Sequence, residues 1–201
     1  MIRTALRGAL APAAIIAALF TATACGGQAA PAAPAPASSA PSTAHNDADV
    51  TFVQGMIPHH SQAVDMAKLA TTNTTNPKIL DLSGRIEKAQ APEIQTMNGF
   101  LTSWGMSAAN SGGMGGMGGM DHGSMGGMMS DTQMQQLGQA RGAEFDRMFL
   151  TMMIEHHNGA VQMAQAEISS GQNTDSKKLA QTIIDAQRAE ISEMNTLLAS
   201  A

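Results

Sequence analysis

Apolar residues recur at helical spacing along four long stretches of the chain. At about 100° per residue, Phe52, Met56, His59, Ala63, Met66 and Ala67 fall on one face. Phe149, Met153, His156, Ala160, Met163 and Ala164 fall on another. A third face carries Ile79, Leu82, Ile86, Ala89, Gln90, Glu93, Met97 and Phe100, and a fourth Ile183, Ala186, Gln187, Glu190, Met194 and Leu197. This period predicts helices from an Asp47 or Asp49 cap to about residue 70, over 78–101, from Asp131 or Thr132 to about 169, and over 175–198. Pro58 is expected to kink or divide the first helix, because proline lacks a donor and clashes with the preceding turn. Pro92 is a second local disturbance, whereas Pro77 suits a first helical turn. The polar stretches 71–78 and 169–175 read as turns, and no stretch reads as a strand. The expected fold class is all-α: two helical hairpins forming a four-helix bundle.

Between the hairpins, residues 105–130 read GMSAANSGGMGGMGGMDHGSMGGMMS. Glycine at this density costs too much backbone entropy for a regular element. The stretch is expected to be a flexible linker with no core to join. At the other end, Arg3 and Arg7 precede an apolar run from Ala9 to Phe20 and small residues up to Cys25, which reads as an export signal. The run is shorter than the roughly 20 apolar residues a membrane span needs. Residues 26–45 are rich in Ala, Pro and Ser and suit an extended tether. The expected organisation is a signal peptide (1–24), a lipidated Cys25 with its tether (25–45), a first hairpin (46–104), the linker (105–130) and a second hairpin (131–201), with 46–201 one bundle domain. Ala22-Thr23-Ala24 also fits an ordinary cleavage site, so simple secretion is the alternative to a membrane-anchored lipoprotein on the extracytoplasmic face. Cys25 is the only cysteine, which rules out an intramolecular disulfide.

The two hairpins are near copies. Residues 52–67 (FVQGMIPHHSQAVDMA) match 149–164 (FLTMMIEHHNGAVQMA) at nine of sixteen positions, with a constant offset of 149 − 52 = 97. The same offset aligns IEKAQAPEIQTMN (86–98) with IIDAQRAEISEMN (183–195). Self-similarity at a fixed offset indicates duplication. What it repeats includes His, Met and Glu as well as core residues.

Seventeen methionines stand out in a chain with no tyrosine, one tryptophan and a net charge of −5. The absence of a basic patch argues against nucleic acid as a partner. In a bundle, the repeated faces would bring imidazole, thioether and carboxylate inward together. His156 falls near the centre of its face and His157 toward the edge, and His59 and His60 repeat that placement. Taken singly, a core methionine fills a gap, an inward histidine is a hydrogen-bonded core residue, and a Glu–His pair satisfies both members without metal. Recurrence of all three in both halves favours a metal, since burying such groups without partners is costly. Thioether sulfur suits Cu(I), and imidazole serves both copper oxidation states. Methionine is not a usual zinc ligand. A di-iron site needs Glu-x-x-His motifs, and no histidine here has a glutamate three residues before it. The linker adds Met114, Met117 and Met120 at every third position, then His122, Met125 and Met128. Flexible thioethers can wrap a soft cation, and unlike cysteine they form no disulfides outside the cytoplasm.

The MIPHHSQAVDMA and MIEHHNGAVQMA segments, each followed by an AQ-x-x-EI-x-x-M helix, resemble the family known as domain of unknown function 305. The resemblance covers about residues 46–199. It implies a ferritin-like helical bundle, export, and copper binding by His59, His60 and Met66 with Glu93 and Met97, and by His156, His157 and Met163 with Glu190 and Met194. Met56 and Met153 share those faces. The GGMDHGSM tract separately resembles Met/His repeats of bacterial copper-resistance proteins. Glu155 in place of Pro58 and Gln162 in place of Asp65 distinguish the halves.

These features together suggest an extracytoplasmic protein that sequesters Cu(I) or Cu(II), or hands it to another copper-handling protein, in copper tolerance. A copper-dependent oxidase and a metal-free helical scaffold are the competing readings. No nucleophile–base pair and no trinuclear copper set supports an enzyme.

Overall fold

The computed structural model describes residues 42–106 and 126–200, and every described element is helical. Helix α1 spans Asp47–Asn73, α2 Pro77–Ser103, α3 Asp131–Gln139, α4 Gly142–Ser170 and α5 Thr174–Leu198. The export signal, Cys25 and its tether lie outside the described residues, as do Met114, Met117, Met120, His122 and Met125 of the linker.

Asparagine, rather than aspartate, starts three of the helices. The Asn46 side chain accepts from the backbone of Ala48 and Asp49, and the Asp49 carboxylate accepts in return from the Asn46 N–H in a capping box. Asn76 and Asn173 cap α2 and α5, and Pro77 fills the first position of α2, where no intrahelical donor is needed. Pro58 does not divide α1, which was one of the two outcomes expected of it, and α2 likewise continues through Pro92. Residues on both sides of Pro58 are buried, from Phe52 and Val53 to Ala63 and Val64, so both parts of α1 are held in the core. Packing thus outweighs the one missing backbone bond.

The expected long helix from 131 to 169 is two helices. Ala140 and Arg141 are extended, and Gly142 has φ 55°, a left-handed conformation that glycine adopts without a Cβ clash. Arg141 Nη1 donates to the carbonyls of Gly138 and Ala140, both at 2.7 Å, capping the break. Asn73 at the end of α1 donates to the carbonyls of Leu137 and Gly138, and Leu137 is fully buried.

α1 packs along α2, α4 packs along α5, and α1 lies against α4. The core divides into two apolar clusters. One gathers Ala63, Met66, Ile79, Leu82, Ile86, Phe145, Phe149, Met153 and Met194. The other gathers Phe52, Met56, Met97, Phe100, Trp104, Ala160, Ala164, Ala180 and Ile183. Each cluster takes one half of α1 and the opposite half of α4. The histidine pairs sit between them along both helices.

Two polar latches join the α1–α2 and α4–α5 pairs. Asp49 accepts from the backbone of Gln172 and Asn173, at 3.1 and 2.9 Å, in the α4–α5 turn. Asp146 accepts from Asn76 Nδ2 at 2.8 Å in the α1–α2 turn. The offset relates these as well: 146 − 49 = 173 − 76 = 97.

A candidate soft-metal centre at the crossing of α1 and α4

His59 and His60 are adjacent, so their side chains leave α1 about 100° apart. One faces α4 and the other α2. The His59 ring meets His156 of α4 with centroids 3.8 Å apart. His60 Nε2 donates to Glu93 Oε2 of α2 at 2.7 Å. The second half repeats the arrangement: His157 Nε2 donates to Glu190 Oε2 of α5, also at 2.7 Å. All four histidines are fully buried. The placement of His60 and His157 at the edge of a buried face is therefore corrected. α1 packs on α2 as well as on α4, and α4 on α5 as well as on α1, so each buries more than one face.

The nitrogens are unevenly satisfied. Nδ1 of His59, His60, His156 and His157 is buried with no hydrogen-bond partner among the described residues, and so is Nε2 of His156. Burial pushes the His59 imidazole down to about 3, with His60 adding to the effect. Burial and the neighbouring His59 likewise hold His156 well below the usual range. Both rings are neutral at ordinary pH, with lone pairs rather than charge in the interior. That is the form in which imidazole binds a metal.

The thioethers divide by end of the molecule, not by chain half. Met66, Met153 and Met194 belong to one apolar cluster. Met56 and Met97 belong to the other, where Met163 packs partly exposed. The grouping of Met66 with Met97, and of Met163 with Met194, is thereby corrected. α1 and α4 run past each other, so the equivalent residues of the two halves lie at opposite ends. Among the described residues, no three His, Cys, Asp or Glu side chains converge as a ready-made metal cage.

The end of the linker belongs to this region, which the sequence did not suggest. Gly126 accepts a hydrogen bond from His59 Nε2 at 3.3 Å. Gln62 of α1 clamps Met129 on both sides, accepting from its N–H at 2.7 Å and donating to its carbonyl at 2.8 Å. Met129 is buried in the core, so the expectation of a linker with no core to join fails at this end. Met128 is partly buried. Gly127 has φ 85°, and the backbone of Gly126 lies where a Cβ on Gly159 would stand. The strap 126–129 thus lies on α1 and α4 beside His59. Gln62, Gly126 and Gly159 carry no sequence signal of this role, since Gln62 and Gly159 are not repeated in the other half.

The family described as Domain of unknown function (DUF305) matches residues 49–198. A DUF305 protein from Streptomyces coelicolor superposes with a TM-score of 0.67 at 32% identity, covering 76% of this chain and 91% of that one. CopM in its Cu(II)-bound form superposes with a TM-score of 0.63 at 31% identity, covering 76% and 96%. CopM is also known in Cu(I)-bound and Ag-bound forms. Among curated sequences, uncharacterized protein L153 of Acanthamoeba polyphaga mimivirus is 42% identical over 53 residues. That match spans 26% of this chain and about a third of the viral protein.

Proposed function

Since the chain belongs to the DUF305 family, we propose that it is an extracytoplasmic copper-binding protein that takes up Cu(I), and Cu(II) more weakly, without turnover. The observation that carries this reading is the set of four fully buried histidines with unpartnered Nδ1 atoms where α1 crosses α4. Leaving such atoms unsatisfied is costly, and a bound soft cation would recover that cost. CopM, 31% identical and similar in fold, is known in copper-bound forms, which supports the choice of metal.

In this reading the four long helices form one ferritin-like bundle made of two duplicated hairpins. Imidazoles at its waist supply nitrogen. Because imidazole and carboxylate do not make a closed cage here, thioethers from the flanking clusters complete the coordination, a donor set that favours Cu(I). The Met-rich linker captures ions weakly and passes them inward. Residues 1–24 direct export, and Cys25 with residues 26–45 anchors the domain at a membrane. The physiological role is sequestration or hand-over of copper, with another copper-handling protein as recipient.

A competition titration of Cu(I) between the purified protein and a chromophoric chelator tests the reading. The expected result is tight binding that falls at least tenfold when His59, His60, His156 and His157 are replaced together by Gln. Unchanged affinity in a folded variant would refute the role of the buried histidines.

A further inference from the structure

The repeated carboxylates invite a role as metal ligands, but their geometry does not support it. We propose that Glu93 and Glu190 are positioning residues, and that the metal is taken by Nδ1 of His60 and His157. This assignment rests on the copper reading above and specifies the atoms it uses.

A carboxylate oxygen accepts and does not donate. The 2.7 Å contacts from His60 Nε2 to Glu93 and from His157 Nε2 to Glu190 therefore place a hydrogen on each Nε2. An imidazole holding its hydrogen at Nε2 presents a lone pair at Nδ1. Both Nδ1 atoms are buried and without a partner. The opposite tautomer would bury an N–H with no acceptor and set two acceptors against each other at 2.7 Å. His59 follows the same rule through a different partner, because its Nε2 donates to the Gly126 carbonyl and its Nδ1 is left free. Three rings from three local environments are thus held by Nε2, and all four share an unpartnered Nδ1.

Exposure separates the two roles further. The His60 and His157 side chains are sealed from water, whereas those of Glu93 and Glu190 retain 17% and 14% exposure. Each carboxylate therefore stands on the solvent side of its ring, and a metal in the dry interior would meet the ring first. Soft cations prefer imidazole and thioether to carboxylate oxygen. A carboxylate behind a metal-binding histidine orients the ring and raises its basicity. The repetition of Glu93 at Glu190 is then explained by what the histidines need.

Silver(I) is a diamagnetic soft probe whose nuclear spin couples to a bound nitrogen. The test is long-range proton–nitrogen NMR of the full chain labelled with nitrogen-15 in histidine, before and after addition of Ag(I). The expected spectra show Nε2 of His60 and His157 protonated throughout, with silver coupling at Nδ1. Glu93→Ala with Glu190→Ala should lower silver affinity by about 10- to 100-fold. Glu93→Gln with Glu190→Gln, which keeps an acceptor oxygen, should restore most of it. Silver coupling at Nε2, or Gln variants as weak as the Ala variants, would overturn the assignment while leaving metal binding by the histidines intact. Absence of silver coupling at every histidine nitrogen would overturn both the assignment and the copper reading.

Discussion

At the scale of the residue, the buried polar groups set the behaviour of the protein. Glu167 stands where the offset places Ala70 in the first half (167 − 97 = 70), and it is 1% exposed. Neither of its oxygens makes a well-formed hydrogen bond. Burial pushes its carboxyl up to about 7; Ser176 opposes that shift and Asp49 adds to it. A carboxyl raised in the folded state contributes stability below its unfolded value and loses it as pH rises through the folded value. Stability should therefore decline between about pH 4.5 and pH 7. Glu167→Gln should flatten that decline and melt higher than the parent at pH 8. Thermal melts of both proteins across this range check it. Gly159 gives a second prediction. A methyl group there would collide with the Gly126 backbone. Gly159→Ala should cost about 1–3 kcal/mol in denaturant unfolding and free Met129 from its clamp. The histidines and methionines of the site were legible in the sequence because the duplication marked them. Gln62 and Gly159 were not, because their partner is the strap, and no periodicity records a contact between a helix and a segment outside the repeat.

At the scale of the element, four long helices were legible from period alone, and their ends were less so. The break at Ala140–Gly142 carries only a weak signal in the sequence, because a single glycine within a helical pattern is tolerated at a cost of about 1 kcal/mol. What marks the break is a left-handed φ at Gly142 and the Arg141 cap on the carbonyls before it. At Pro58 the helix runs on through a residue that lacks a backbone donor, with buried residues on both sides. Caps also carry tertiary information. Asn76 caps α2 and holds Asp146, while Asn173 caps α5, meets Asp49 through its backbone, and donates to the carbonyls of Ser42 and Ala44. Losing an asparagine cap costs about 1 kcal/mol. Asn173→Ala should therefore destabilise more than Asn76→Ala, since two further hydrogen bonds go with it. Equal losses in chemical denaturation would show that the contacts to residues 42–44 contribute no more than the Asn76–Asp146 bond that the other variant removes. Extending the 97-residue offset outward from the histidines would have found both latches.

At the scale of the whole molecule, the two halves of α1 and α4 serve different clusters. Methionines equivalent by the offset therefore lie at opposite ends, with the imidazoles between them. A ligand that binds only the folded state raises its stability, by about 2.7 kcal/mol at a free concentration a hundred times the dissociation constant. Cu(I) should accordingly raise the melting temperature. The metal-free scaffold reading requires no shift. Replacing residues 107–125 by a Gly/Ser spacer of equal length deletes the linker's donors and keeps the strap that Gln62 clamps, whereas a deletion reaching Met129 would remove a core residue. The replacement should lower the number of copper ions bound and leave the melting temperature of the apo protein unchanged. A fall in that temperature would give the tract a structural role.

That replacement also isolates the central claim. X-ray absorption at the copper edge, recorded on the 107–125 replacement loaded with one equivalent of Cu(I), counts nitrogen against sulfur around the ion once the linker donors are gone. The expected spectrum shows imidazole scattering together with at least one sulfur. A copper that is lost on replacement, or retained with no imidazole in its shell, would contradict the claim.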